Sequence, residues 1–223
     1  MKILKNAGNF EILNEDQLEQ QLRTIESAGR VCYQSEKGPI TLESARKFIR
    51  MILKRGHESV IEHSSMTVRF SDVSRGFTHE LVRHRLCAFS QESTRYVDES
   101  DLHFVTPPHK DERGWIQSGR TIPTAAIVHL EQVYRDLIAA GWKRDDARQF
   151  LPIGTRAQIV CTANFREWRH IFKTRTGKPA HWEIRRVMGL LLAHVQPLLS
   201  PIFDDFKIAN QDTNKLDYWG QRP

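Results

Sequence analysis

Arg83-His84-Arg85-Leu86-Cys87-Ala88-Phe89-Ser90-Gln91-Glu92-Ser93-Thr94-Arg95-Tyr96 gathers three arginines and a histidine among short hydrogen-bonding side chains. Fixed positive charge at that density suits a bound polyanion. Just upstream, Phe77, Leu81 and Leu86 fall on one stripe at helical spacing, which predicts a buried helix with Arg83 and His84 near its end. After Leu86 the period fades. Ser90 to Thr94 therefore reads as a loop, where backbone N–H groups and hydroxyls can wrap a phosphate or a base edge. On local grounds the same arginines could also form a solvated basic face, with Ser93 helping a turn.

Outside this stretch, 223 residues are enough for one substantial core and short for two, so one domain is expected. Charged residues at 27% and hydrophobic residues at 39% place the chain among folded soluble proteins rather than disordered ones. The net charge of +6 favours anionic partners such as nucleotides, phosphorylated cofactors or nucleic acid, without choosing among them. Cys32, Cys87 and Cys161 are odd in number and widely spaced, which argues against a disulfide framework or a clustered zinc site. A reducing, cytoplasmic setting fits them. The N-terminus lacks the apolar core of a signal peptide, and no apolar run is long enough to span a bilayer.

The pattern predicts a first strand and turn over Met1 to Leu13. Asn14 and Gln17 resemble a capping box before a helix carrying Leu18, Leu22 and Ile25 to Gly29, and Gln34 to Pro39 is a polar loop. A second helix starts at Thr41, carries Leu42, Ala45, Phe48, Ile49, Ile52 and Leu53, and ends at Gly56. His57 and His63 are six residues apart, whereas a helical zinc pair is four apart, so a polar turn leading into a strand at Ser65 to Phe70 is the better account. No metal is expected. Val97 to Gly119, with breakers Pro107, Pro108 and Gly114, reads as an exposed excursion. A long helix follows from near Thr121 and Pro123, with Ile127, Leu130, Val133, Tyr134, Leu137 and Ile138 on its buried side. A short helix spans Asp146 to Leu151 before Pro152, and Ala157 to Ala163 can be a strand. Asn164 is a good N-cap for a helix on which Arg166 and His170 share a face opposite Phe165, Trp168 and Phe172. Arg175 falls in a loop, and the last helix runs from about Ala180 to Leu199, carrying Trp182, Val187, Leu190, Leu191 and Val195.

No G-x-G-x-x-G follows a strand and no Walker A sequence occurs, so a nucleotide would have to bind through arginines and helix ends. Ser93 beside His84 is a weak nucleophile candidate. Binding of nucleic acid through Arg83, Arg85, Arg95 and the C-terminal basic residues lacks a recognisable module.

Arg-His-Arg, seven further residues and Ser, closed by Thr-Arg-Tyr, resembles the signature of the flavin-dependent thymidylate synthases, the ThyX family. The resemblance extends from about Thr41 to Phe206 through Asp146-Ala147-Arg148, Asn164-x-Arg166, His170, Arg175 and Trp182-Glu183-Ile184. It implies an α+β fold with a mostly antiparallel sheet flanked by helices, in one domain over 1–223. It implies FAD as cofactor, NADPH and methylenetetrahydrofolate as co-substrates, and dUMP as the methyl acceptor, in a homotetramer with sites shared between subunits. No nucleic-acid or membrane partner is implied. Ser59, Arg83, His84, Arg85, Gln91, Asn164, Arg166 and His170 would hold FAD, with His57 near the entrance to the reaction centre. Glu80, Arg83, Gln91, Glu92, Ser93, Thr94, Arg95, Arg148 and Arg175 would surround dUMP. Arg95 and Arg148 would meet the phosphate, and Arg175, against the uracil edge, would be the principal catalytic residue. Ser93 would then orient substrate. Ala88, Glu80 and Pro179 stand where the family often has serine, glutamine and a flavin-contacting histidine, so Glu80 is expected to face the base or sugar or to pair with an arginine. The alternative within the class is a methylase of a related nucleotide such as UMP.

Overall fold

Two long antiparallel strands carry the fold, and each runs straight into a helix that bears site residues. The computed structural model describes residues 1–34, 38–106 and 124–206. In chain order these form β1 (Lys2–Lys5), β2 (Asn9–Ile12), α1 (Leu18–Tyr33), α2 (Leu42–Lys54), β3 (Ser65–Ser74), α3 (Arg75–Leu81), β4 (Cys87–Gln91), β5 (His103–Thr106), α4 (Thr124–Ala139), α5 (Arg144–Ala147), β6 (Arg156–Asn164), α6 (Phe165–Arg175) and α7 (Trp182–Leu198). Short 3₁₀ segments occupy Glu15–Gln17, Glu58–His63 and Arg148–Phe150.

The main sheet is antiparallel throughout, in the order β2-β3-β6-β4, while β1 and β5 pair in parallel as a separate ribbon. The expected α+β architecture with a mostly antiparallel sheet is therefore present. One sheet face is apolar because Met66, Val68 and Phe70 on β3 alternate with polar neighbours, and Ala157, Ile159, Cys161 and Ala163 on β6 alternate with less buried ones. Against this face pack Leu22 and Ile25 of α1, Ile49 and Ile52 of α2, Trp168 and Phe172 of α6, and Val187, Leu191 and Val195 of α7, all buried in one cluster. The other face keeps polar pairs: the Thr67 and Thr162 hydroxyls are 2.9 Å apart, and Arg69 donates to Glu11 at 2.9 Å. β3 bulges between Phe70 and Val73, where Asp72 takes a φ of 54° and its carboxylate accepts from Arg156 at 2.8 Å.

Local signals set several boundaries. Thr41 and Ser44 cap each other at the start of α2, and Gly56, at φ 73°, follows its end. Other expectations are corrected. Asn14 makes no cap; its side chain bonds Ser65 and Thr67 of the neighbouring strand, because both of its amide atoms meet β3 backbone. α1 continues past Gly29 to Tyr33, since Gly29 is packed against Phe48 and ends nothing. Ser90 and Gln91 belong to β4, paired to Val160 and Ile159, so the loop begins only at Glu92. Leu86 does not join the stripe of Phe77 and Leu81; it is 75% exposed because α3 ends at Leu81. Arg175 closes α6 rather than lying in a loop. The excursion from Val97 is described to Thr106 and includes β5; Pro107, Pro108, Gly114 and the helix start near Thr121 and Pro123 lie outside the described residues, as does part of the Gln34 to Pro39 loop. No helix among the described residues is long and apolar enough to cross a membrane.

The junction of β3 and α3 is clamped from α7. Glu183, buried and with its pKa raised by that burial, accepts from the Ser74 N–H at 2.6 Å and from its hydroxyl at 2.5 Å. The same hydroxyl oxygen accepts from Phe77 N–H and so caps α3. Glu183→Ala leaves two buried donors unmatched and should lower the unfolding free energy by about 3 kcal/mol in urea titration; a loss under about 1 kcal/mol would show that the clamp is dispensable.

Candidate active site

α3 and α6 bring the motif histidine and a distant arginine together. α6 is capped by Asn164, whose side chain accepts from Glu167 N–H at 2.8 Å. Its buried positions Phe165, Trp168, Ile171 and Phe172 fix its rotation. Glu167, Ile171 and Arg175 then line one stripe, four residues apart, and Arg166, His170 and Lys173 line the next.

His84 lies along the first stripe. Its Nδ1 is 3.2 Å from Glu167 Oε1, and its Nε2 accepts from Arg175 Nε at 3.0 Å. Glu167 and Arg175 are two helical turns apart, about 12 Å between backbones, and the imidazole bridges the span between their side chains. Arg175 also donates from Nη1 to the Glu80 carboxylate at 2.7 Å and from Nη2 to the Glu80 carbonyl at 2.8 Å. Glu80 thus pairs with an arginine, one of the arrangements expected of it. His84 is 5% exposed, and burial, the Arg175 guanidinium and then His170 hold its pKa down at about 4. Burial moves Glu167 the other way, above the usual carboxylate range.

The second stripe faces a cleft of about 790 Å³ lined by Asn164, Arg166, His170, Lys173, Leu86 and Phe206, with Glu58 and Glu62 on the opposite wall. Arg166 is 2.5 Å from Glu62, and Arg169 lies 3.5 Å from Glu58 while holding Asp205 and stacking over Phe206. Ser59 is exposed on the 3₁₀ segment that carries both acids. His57, at its N-terminal end, is exposed. Arg83 and Arg85 are exposed in the turn around His84.

A third group sits apart. Arg95 donates to Asp145 at 2.8 Å, and Arg148 donates to the Asp145 carbonyl at 3.2 Å, so one aspartate holds both arginines on the same corner. Ser93 Oγ accepts from Arg95 N–H, and Thr94 is buried. Gln91 donates to Thr78 at 2.9 Å, and Glu92 lies 3.8 Å from Arg156. Among the described residues, no hydrogen bond or ion pair joins this group to the Arg175 network. The nine residues expected around one nucleotide thus belong to more than one hydrogen-bonded group, although Gln91 reaches α3, the helix that carries Glu80.

Ligand atoms of His84, Glu167 and His170 lie within 4.8 Å of one another. A cation there would have to take a His84 nitrogen from either Glu167 or Arg175, and would sit beside a guanidinium, so the donor set does not suit one. Glu167, Asp145, Arg169, Lys173 and Phe206 were not anticipated from sequence, whereas Glu58 and Glu62 lie in the segment that the resemblance assigned to the flavin site. Glu167 carried a misleading signal: three residues after an Asn cap, it matches a capping box, yet its side chain goes to His84.

The family model described as thymidylate synthase complementing protein matches residues 15–199. The flavin-dependent thymidylate synthase of Mycobacterium avium is 38% identical over 199 residues and covers 83% of this chain and 79% of that protein. The corresponding protein of Mycobacteroides abscessus is 36% identical over 198 residues, with the same coverage. A crystal structure of the UMP/dUMP methylase PolB from Streptomyces cacaoi bound with 5-Br dUMP shares the fold, with a TM-score of 0.70 at 21% identity, over 93% of this chain and 99% of that one.

An unfolded histidine binds its proton near pH 6.5, whereas folded His84 does so only near 4. Between those values the unfolded chain takes up more protons, so acidification favours unfolding through this residue. The stability of wild type relative to His84→Gln should therefore fall as pH drops from 6.5 to about 4, by at most about 1.4 kcal/mol per pH unit. Comparing the two proteins cancels distant raised carboxylates such as Glu183, whereas Glu167, which bonds His84, is changed by the substitution. A difference independent of pH would mean that His84 is not held neutral.

Proposed function

The chain belongs to the flavin-dependent thymidylate synthase family, and from that premise we propose that it carries out the reductive methylation of dUMP to dTMP. Methylenetetrahydrofolate supplies the one-carbon unit and NADPH, through FAD, the reducing equivalents. The observation that carries the reading is the Arg175 to His84 hydrogen bond, which ties the arginine motif to a residue 91 positions away.

The cleft offers a partly aromatic cofactor the apolar surfaces of Leu86 and Phe206, and its cations Arg166, Arg169 and Lys173 are balanced by Glu58, Glu62 and Glu167, so an anion would have to displace carboxylates from Arg166 or Arg169. FAD would be held there by Asn164, Arg166 and His170, with Ser59, Arg83, His84, Arg85 and Gln91 contributing from the same or a neighbouring subunit. When bound, the flavin supplies hydride-transfer chemistry that no side chain can. Arg95 and Arg148 offer paired guanidinium donors to the dUMP phosphate, with Ser93 and Thr94 beside them and Gln91 and Glu92 completing that wall. Arg175 binds the uracil edge and stabilises negative charge developing at N3 and O2. Glu80 and His84 fix its guanidinium plane, leaving two of its five N–H groups without partners among the described residues. No enzyme nucleophile is required.

The reading includes a homotetramer in which each site draws groups from different subunits. One family-like domain spanning the chain, acting in the cytoplasm without nucleic-acid or membrane partners, completes the reading.

The direct test is visible absorbance after FAD addition and desalting, followed anaerobically with NADPH. Retained flavin that bleaches faster with dUMP than with UMP supports the assignment; faster bleaching with UMP points to the related methylase, and a protein that keeps no flavin overturns both. Arg175→Ala should lower kcat by about 10²–10³ while flavin retention persists, and normal turnover would remove Arg175 from the mechanism. Arg148→Ala should raise KM for dUMP about tenfold and leave that for NADPH unchanged; equal effects would contradict a phosphate role.

A further inference from the structure

The direction of every hydrogen bond around Arg175 is fixed by what a guanidinium can do. It has only donors, so the Arg175 Nε–H at 3.0 Å from His84 Nε2 requires that nitrogen to be unprotonated. A neutral imidazole with a bare Nε2 carries its proton on Nδ1, which faces Glu167 Oε1 at 3.2 Å. Donation therefore runs from Arg175 to His84 and from His84 to Glu167. Both His84 and Glu167 are almost wholly buried, at 5% and 7% exposure, so water does not substitute for either partner.

Without the Glu167 acceptor the buried Nδ1–H loses its partner, and only the Arg175 donor still favours this tautomer. The alternative tautomer would put Nε2–H against Arg175 Nε–H, donor against donor, and the guanidinium would keep only its two contacts to Glu80. Those two contacts hold Nη1 and Nη2; the His84 contact is the one that restrains Nε. The cap of α6 uses the Asn164 side chain and the Glu167 backbone N–H, and the Glu167 carboxylate takes no part in it. A capping box would have turned the carboxylate back to Asn164; here it points to His84 instead.

We propose that Glu167 is a positioning residue for Arg175, acting through His84 by locking its imidazole in the Nδ1–H tautomer. The inference rests on the catalytic role given to Arg175 above. Glu167 makes no contact with Arg175 itself, and its effect passes entirely through the histidine ring.

The test uses the flavin-loaded enzyme in five forms: wild type, Glu167→Ala, Glu167→Gln, Arg175→Ala, and Glu167→Ala combined with Arg175→Ala. Glu167→Ala should lower kcat by about tenfold to a hundredfold with flavin still retained; the stranded His84 Nδ1–H also lowers the thermal midpoint, by an amount Glu167→Gln restores together with the rate. Glu167→Gln keeps an acceptor oxygen for Nδ1–H and should restore most of that loss. In the Arg175→Ala background, Glu167→Ala should add no further loss, since residues acting as one unit are non-additive. Additive losses would overturn the proposal, and so would a fully active Glu167→Ala. Selective ¹⁵N-histidine labelling reads the lock directly: the His84 resonance, assigned by its disappearance in His84→Gln, should show the proton on Nδ1 in wild type and lose that signature in Glu167→Ala. An unchanged tautomer rejects the lock. Should wild type itself fail to methylate dUMP, the activity reading falls, and the tautomer measurement still decides whether Glu167 sets the state of His84.

Discussion

The pairing of Cys87 with Ala163 is the constraint on which the site depends. β3 and β6 run antiparallel, with Ser65 opposite Asn164 and Ser74 opposite Arg156, so α3 and α6 leave the sheet at opposite ends. α3 then carries the chain back along β3, and β4 must enter beside the end of β6. His84, three residues before Cys87, therefore arrives next to the first turn of α6, where Glu167 lies. A slip of one residue in β4 would turn its alternate side chains to the other face and carry His84 away from both Glu167 and Arg175. The clamp of Glu183 on Ser74 works to the same end, because it fixes where α3 begins.

Several arginines are held against carboxylates, while Arg83 and Arg85 stay exposed. Arg30, Arg95, Arg156, Arg166, Arg169 and Arg175 each face a carboxylate within ion-pairing distance. An arginine held in this way loses little freedom when an anion arrives, and its donors already point in set directions. The partners differ in what they leave open. Asp145 binds Arg95 through one nitrogen and leaves the rest of the fork outward, whereas Glu80 and His84 grip Arg175 from three sides. The first arrangement suits a mobile phosphate, the second a planar ring edge that must be met in one orientation.

Burial then divides the ionisable groups around α6 into opposite states. His84 is pushed toward neutrality by desolvation and by the Arg175 charge, and Glu167 is pushed toward its protonated form by desolvation alone. The hydrogen bond between them does not need either charge, since a neutral Nδ1–H donates to a carboxyl oxygen in both states of the acid.

Local chemistry in the sequence was enough to determine most of the elements. The Thr41 cap, Gly56, the alternation of Met66 to Phe70 and of Ala157 to Ala163, and the Asn164 cap each act within a few residues, so each was legible without the rest of the chain. The order of motif residues likewise pointed to a family and to Arg175. What only the tertiary structure decided was partnership. Asn14 looks like a cap until β3 offers it both a donor and an acceptor. Ser90 and Gln91 look like a loop until Val160 and Ile159 supply a strand to pair with. Glu167 looks like half of a capping box until His84, 83 residues away, takes its carboxylate. A side chain with several adequate local uses is assigned by which buried donor it must satisfy, and that depends on sheet register and helix rotation, which no short stretch of sequence contains.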